Sequence, residues 1–402
     1  MKNPLDKKFK VFFNWSTNPG TTYYRIINPT KYMRRIKNVD VAHSYYDVKG
    51  NPAWEDTIMK DDDSAKEVIN ELEKLTRIAD VSVWQRCHTD LSVSVFLGFR
   101  DKRLFADKIM LVEIDDDTFN VNPESISSKV WYPGSELQDI FKDQLRFASG
   151  LIVSTEYLKK LYSEYNPCIE VIPNGIDFEV WDKVKKPAKH KKIRIGWSGS
   201  QAHDEDLKVI GKIIPPILNK YKNVEFMFYG HESKYIPYNG YNILHHKDTS
   251  GRVIWKSMDE YPQELASLGF DIGLAPLRDN NFNRAKSNLR YLEYGALRVP
   301  TVASDVEPFK MTDSSGIIKV TETEDWFTAV SFLIEDEYAR RKAGEAAYRD
   351  VKANYNIKDI ASHYVDVLKK FHSGKIKSHK VEISPEMFDK SKGEELKNGL
   401  YQ

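Results

Sequence analysis

Residues Asp271 to Ser304, DIGLAPLRDNNFNRAKSNLRYLEYGALRVPTVAS, hold two apolar runs that enclose a polar loop and a short helix. DIGLAPL is a buried strand by its unbroken apolar character, and no apolar periodicity survives from Arg278 to Lys286. Ligands bind at the C-terminal end of such a parallel strand. Ser287 is placed to cap a helix from Asn288 to Leu297, whose first-turn N–H groups point back into the loop with the positive end of the helix dipole. Lys286 stands at the lip of that turn, so an anion there meets a point charge as well as free N–H groups. VPTVAS returns as the next strand. By its residues alone, the segment serves equally as a plain β-loop-α-β piece of any doubly wound domain.

Working outward, the same alternation fills the chain. FKVFFNW, VDVAHSY, DVSVWQR, KIMLVEI, LIVST and IEVIP read as strands in the first half, separated by helical patterns over SAKEVINELEKLTRIA, Leu91 to Phe105, and EYLKKLYSEY. Val184 to Lys192, VKKPAKHKK, is basic, holds a proline and lacks periodicity, which reads as a linker. IRIGWSG, a helix over Asp204 to Tyr221, VEFMFYG, YNILHH, a helix over Tyr261 to Leu268, the opening segment and GIIKV repeat the alternation. The class is therefore α/β, with parallel sheets wrapped by helices. The chain after Ser331 is mainly helical, over Tyr338 to Tyr355 and Asp359 to Phe371.

The composition narrows the function classes. The 402 residues are 41% hydrophobic and 12% aromatic, enough for two or three substantial cores. Sixty Lys and Arg against 59 Asp and Glu leave a formal charge of +1, so no global field draws nucleic acid or an acidic membrane. Cys87 and Cys168 are far apart and lack metal-ligand spacing, which suits a reducing cytoplasm. MKNPLDKKFKVFF leads into a first strand rather than a signal peptide, and no apolar run reaches the roughly 18 residues of a membrane span.

Lys286 to Ser304 resembles the donor-nucleotide segment of group 1 (family 4-like) glycosyltransferases of the GT-B fold, found in bacteria and bacteriophages. Their pattern is Glu-x7-Glu, a small-residue helix end, Gly, x, Pro and a strand. LIVSTEYLKKLYSEY followed by IEVIPNGID resembles the end of the family's N-terminal domain, and IRIGWSGSQAHDEDL the start of its C-terminal domain. VWQR and VEIDDDTFNVNP also resemble stretches of bacterial and phage members. The resemblance covers most of Phe9 to Phe371, with the motifs in the family's order.

What it implies is a GT-B fold of two Rossmann-like domains facing across a cleft, with C-terminal helices crossing back to the first. The acceptor domain would be residues 1–183 plus a returning helix at about 357–372, with a linker over 184–192. The donor domain would be 193–356, followed by a polar tail over 373–402. The activity implied is sugar transfer from a UDP- or GDP-sugar to a hydroxyl, with retention, in the cytoplasm of a bacterium or phage-infected cell, without metal or other cofactor. The family's second Glu, which holds the ribose, falls on Glu293. Its first Glu, near the donor sugar, falls on position 285, which is Ala here.

The family's diphosphate-binding Arg and Lys after the first C-domain strand are replaced here by a region holding Ser198, Ser200, Gln201 and His203, in which Ser198 and Ser200 would bind the donor and His203 either hydrogen-bonds its phosphate or sugar or has a structural partner. Gly196 and Gly199 would let the backbone approach the phosphates, with Ser287 and Asn288 at the helix start and Lys286 supplying the missing charge. In Asn18-Pro-Gly-Thr-Thr, Gly20 and Thr21 form either a ligand-facing turn or a plain β-α turn. Arg25 adds charge on the acceptor side or is a surface residue. Asp115, Asp116 and Asp117 either border the acceptor, with Asp116 as base were the reaction inverting, or cap the following turn; Asp-x-Asp is also a divalent-metal spacing. The acceptor is a glycan or small molecule. A second acceptor is a hydroxymethylated DNA base, suggested by the phage-like match and the basic stretches Lys183 to Arg194 and Lys31 to Lys37. A third reading is a nucleotide-sugar-binding protein that has lost transfer with Ala285.

Overall fold

The computed structural model describes residues 8–14, 19–44, 62–87, 89–101, 107–124, 126–129, 131–188, 190–246, 258 and 260–379. All twelve expected strands are present. Strands β1 (Phe9–Asn14), β2 (Val39–His43), β3 (Val81–Gln85), β4 (Ile109–Ile114), β5 (Gly150–Val153) and β6 (Ile169–Val171) form one sheet in the order β2-β1-β3-β4-β5-β6. Strands β7 (Ile193–Gly199), β8 (Val224–Gly230), β9 (Ile243–His246), β10 (Ile272–Ala275), β11 (Thr301–Ser304) and β12 (Ile317–Val320) form another, in the order β12-β11-β10-β7-β8-β9. Every pairing is parallel. Parallel strands are covered on both faces, and β3, β8 and β10 are accordingly buried at every residue.

The chain divides into two compact units. The first holds Met1–Asp116, Pro133–Pro173 and Lys358–Gln402; the second holds Asp117–Tyr132 and Asn174–Ile357. In the first, the last described helix, Ile357–His372, supplies core side chains to strands that precede it by hundreds of residues. Tyr364 meets Phe13 of β1 edge-on at 5.7 Å, and Phe371 fills the place where a Cβ on Gly150 would sit. In the second, Trp197, Phe226, Phe228, Ile272 and Trp326 belong to one continuous apolar cluster. Among the described residues, no helix is long and apolar enough to cross a membrane.

Several expected elements change shape. The helix expected over Asp204 to Tyr221 is two, Asp204–Gly211 and Ile214–Lys220, because Pro215 and Pro216 have no N–H to continue the first and suit the start of the second. Pro19–Thr22 is not a tight turn. It opens a helix that widens to π geometry over Tyr23–Ile27 and continues as Asn28–Met33; Asn18 lies outside the described residues. The helix expected over Leu91 to Phe105 is Asp90–Asp101, and 102–105 lie outside the described residues. Of the expected tail, Ser373 to His379 are described, and the His379 N–H donates to Ser149 O at 2.7 Å.

Strand order locates the places for ligands. Sequence-adjacent connections reverse direction between β7 and β10 in the second sheet and between β1 and β3 in the first, and the carboxyl ends of those strands are where open α/β sheets bind.

Candidate functional site

At the carboxyl end of β7, Ser198 and Gly199 face a crowded neighbourhood. A Cβ on Gly199 would lie 2.6 Å from the Trp197 ring and 2.9 Å from Arg290 Nη2, so glycine is what lets the Arg290 guanidinium lie against this strand end. Arg290 Nε donates to Ser198 O at 2.9 Å, and its Cζ lies 5.5 Å from the Trp197 ring centre. Tyr294, one turn further along the same helix, accepts from the Ser198 N–H at 3.0 Å. The helix spans Leu289–Ala296, starting one residue later and ending one earlier than expected.

Ser287 does not cap this helix. The N-cap is Asn288, without a side-chain cap bond, while Ser287 Oγ accepts from Asn174 Nδ2 at 2.9 Å. The Asn288 amide donates to Thr312 Oγ1 at 3.3 Å and to the Tyr355 hydroxyl at 3.2 Å. The first-turn N–H groups therefore lack a capping side chain from Asn288, and the helix start keeps its positive end.

The loop from β10 to that helix holds a further helical turn, Asn281–Arg284, capped by Asn280, whose side chain accepts from the Asn283 N–H at 2.8 Å. This turn places Lys286, half-buried, with its Nζ 4.2 Å from the Phe282 ring centre. It also buries Ala285 completely, so a methyl group occupies a dry position where the resembled family carries a carboxylate.

His203 closes the group. Its Nδ1 lies 2.9 Å from Asp206 Oδ2, and Asp206 Oδ1 accepts from the Arg278 N–H at 2.9 Å and from Asn283 Nδ2 at 2.7 Å. Burial would raise the Asp206 carboxyl, but hydrogen bonds from His203, Arg278 and Asn283 hold it below its usual value. Burial first, then the charge of Arg290 and more weakly that of Lys286, push the His203 imidazole below its ordinary value against the pull of Asp206. His203 thus senses both cations. Ser200 is exposed and makes no side-chain cap bond to the short helical turn it precedes.

Glu293 sits a turn past Arg290's start of the helix and is only 7% exposed. Its Oε2 accepts from the Tyr261 hydroxyl at 2.9 Å, so the carboxylate is oriented before any ligand arrives. Arg290 and Tyr261 are the residues that sequence reasoning missed. Lys286 precedes the helix and Arg290 lies in its first turn, and the charges of both act on His203.

The first unit places its candidates differently. Arg25 is neither exposed nor an open charge: it is 2% exposed, donates from Nε to Glu113 Oε1 at 2.5 Å and from Nη1 to Ile172 O at 2.7 Å. Thr21 hydrogen-bonds the Asp115 carboxyl, which is raised chiefly by burial and next by Asp116. Gly20 lies in the first helical turn, and Asp116 O accepts from the Tyr162 hydroxyl at 2.8 Å. Asp117, fully buried in the second unit, accepts from the Phe119 and Asn120 N–H groups at 2.8 and 3.1 Å, the turn-capping role. Among the described residues, no three His, Cys, Asp or Glu side chains gather as metal ligands.

Two parallel six-stranded sheets of this order, each with its own helices, define the GT-B class of α/β protein. No protein-family model and no curated protein matches the chain. Among solved structures it is similar to sucrose-phosphate synthase from Thermosynechococcus elongatus, with TM-score 0.63 and 12% identity over 91% of this chain and 100% of that one. It is also similar to Anabaena Alr3699/HepE in complex with UDP-glucose, with TM-score 0.61 and 12% identity over 90% and 99%. A glycine-to-arginine mutant of S. aureus TarM, in complex with fondaparinux, α-GlcNAc-glycerol and UDP, gives TM-score 0.53 and 15% identity over 75% of this chain. This chain spans 58% of TarM's length. The expected fold is borne out by these likenesses.

Proposed function

We propose that the protein is a nucleotide-sugar-dependent glycosyltransferase that holds a UDP- or GDP-sugar in its second unit and transfers the sugar to a hydroxyl with retention. One observation carries this reading: where the strand order reverses, an oriented carboxylate, Glu293, and the cations Lys286 and Arg290 surround the start of a single helix. A carboxylate accepts ribose hydroxyls, and cations with free N–H groups take a diphosphate. The charge that grows as the glycosidic bond breaks lies on the departing diphosphate, so stabilisation there lowers the barrier. In a retaining reaction a donor phosphate oxygen takes the proton of the incoming hydroxyl. An inverting reaction would instead use a first-unit carboxylate, Asp116 or Asp115. UDP and UDP-glucose in the HepE structures, and UDP in the TarM structure, support the donor class.

The test is a screen of UDP- and GDP-sugars against glycans, small hydroxylated molecules and hydroxymethylated DNA, read by mass spectrometry in the cytoplasmic pH range. A mass increment of one glycosyl group on any acceptor supports the reading and names the acceptor. The burial of Ala285 favours a second reading, a nucleotide-sugar-binding protein without transfer. Donor that binds but is neither transferred nor hydrolysed would select it.

Two outcomes are expected at this site. Turnover persists in EDTA, because the helix start, Lys286 and Arg290 supply the positive charge a metal otherwise would; activity abolished by chelation and restored by manganese would overturn that. Glu293→Gln weakens UDP or GDP binding by roughly tenfold to a hundredfold, the worth of hydrogen bonds to a charged group. Gln rather than Ala is the right variant, since Glu293 is buried and its loss would strand the Tyr261 hydroxyl. Calorimetry reads the change, and affinities equal to wild type would remove Glu293 from the ribose site.

A further inference from the structure

The His203–Asp206 pair is built beyond what simple phosphate contact requires. Asp206 is 3% exposed and each of its oxygens is committed, Oδ2 to His203 and Oδ1 to the Arg278 N–H and Asn283 Nδ2. A carboxylate fixed in this way keeps the proton of His203 on Nδ1 and sets the plane of the ring. Nε2 then carries the lone pair, and it makes no hydrogen bond among the described residues. The same ring lies within the fields of Arg290 and Lys286, so two positive charges oppose a second proton while the site is empty.

We propose that His203 takes up one proton from solvent when a nucleoside diphosphate enters, and that its Nε2–H then donates to the terminal phosphate. This rests on the donor site proposed above. A diphosphate cancels the charges of Arg290 and Lys286, and its own negative charge favours an imidazolium held on its other side by Asp206. One proton moves from bulk water to Nε2, and no bond to the nucleotide forms. The free nucleoside diphosphate carries one more negative charge than the same group esterified to a sugar. The protonated ring therefore grips the departing group more strongly than the intact donor, which makes His203 a catalytic residue for bond cleavage.

The other charged groups near the ring are already engaged. On its own helix, Asp204 lies 2.9 Å from His231 Nε2 beyond β8, and Glu205 accepts from the Tyr235 hydroxyl at 2.5 Å and faces Arg278 and Lys234. From the other elements packed here, Arg290 and Lys286 act on the ring directly.

Calorimetric titration of the full chain with UDP and with GDP, at about pH 7.5 and above, where an ordinary histidine is neutral, tests the proposal in buffers of different ionisation enthalpy. The wild type should take up close to one proton per diphosphate bound, His203→Asn close to none, and UMP, lacking the terminal phosphate, should move far less. Affinity of the wild type should weaken toward roughly tenfold per pH unit once the pH exceeds the bound-state value of the ring, while His203→Asn stays flat. Diphosphate binding with the same proton balance in wild type and His203→Asn would overturn the assignment. Were that variant not to fold, a wild-type binding enthalpy independent of buffer would overturn it alone. Failure of both UDP and GDP to bind would instead sink the donor-site reading.

Discussion

Glu113→Leu alone should cost the protein about 3–5 kcal/mol of stability, and adding Arg25→Met should return most of that loss. The two side chains meet at 2.5 Å with 0% and 2% exposure. Removing the carboxylate leaves a guanidinium in the core beside Tyr364, still tied to Ile172 O at 2.7 Å and stripped of its nearest counter-charge. Replacing both by apolar groups of similar volume removes the uncompensated charge and the cost of desolvating it together. Urea unfolding of the two single variants and the double variant gives the cycle directly. A double variant no more stable than Glu113→Leu would show that the pair is not the organising feature. The pH dependence has a definite sign. Burial, opposed by Arg25, pushes the Glu113 carboxyl up to about 7. A carboxyl raised on folding contributes fully below its unfolded value, and that contribution falls as pH rises toward about 7. The double variant should lack this part of the slope.

Arg290→Met should lower kcat by roughly a hundredfold to a thousandfold, about 2.7–4 kcal/mol of barrier, the worth of one preorganised donor to developing charge. The guanidinium is held before any ligand arrives by Ser198 O at 2.9 Å and the Trp197 face. If it meets charge that grows in the transition state, kcat should fall more than donor affinity does. Lys286→Met should act in the same direction and less strongly, because its ammonium rests over Phe282 and shares the site with Arg290. Thermal unfolding of each variant separates this from damage to the fold. Wild-type kcat in both would mean that neither cation faces the leaving group.

The strands were legible because a parallel strand covered on both faces must be apolar along its whole length, and runs such as VEFMFYG announce that without any partner in view. Glu293 enters for a different reason, since the role proposed for it rides on a local spacing that a resemblance can carry. Arg290 was not. Its meaning depends on Ser198, which stands 92 residues away, and a first-turn arginine otherwise looks like a solvated one. Arg25 failed in the same way, because its partner Glu113 is 88 residues distant and only the folded sheet brings them together. Ser287 had the chemistry of a cap, but Asn174, 113 residues earlier, takes its hydroxyl and leaves Asn288 at the cap position. Asp117 illustrates the converse: its turn-capping bonds reach to Phe119 and Asn120, two and three residues on, so that alternative could be read locally.

The place of the helix Ile357–His372 bears on the order in which a ribosome can deliver a finished protein. The second unit's six strands are consecutive, so its sheet is complete once β12 has emerged. The first unit's six strands emerge earlier, yet Tyr364 and Phe371, which cover Phe13 and Gly150, are made last. At ordinary rates of synthesis that interval is on the order of ten seconds or more. Throughout it Phe13 and Gly150 lack the side chains that pack on them in the finished fold, so the packing of the first unit waits on residues made more than two hundred positions later.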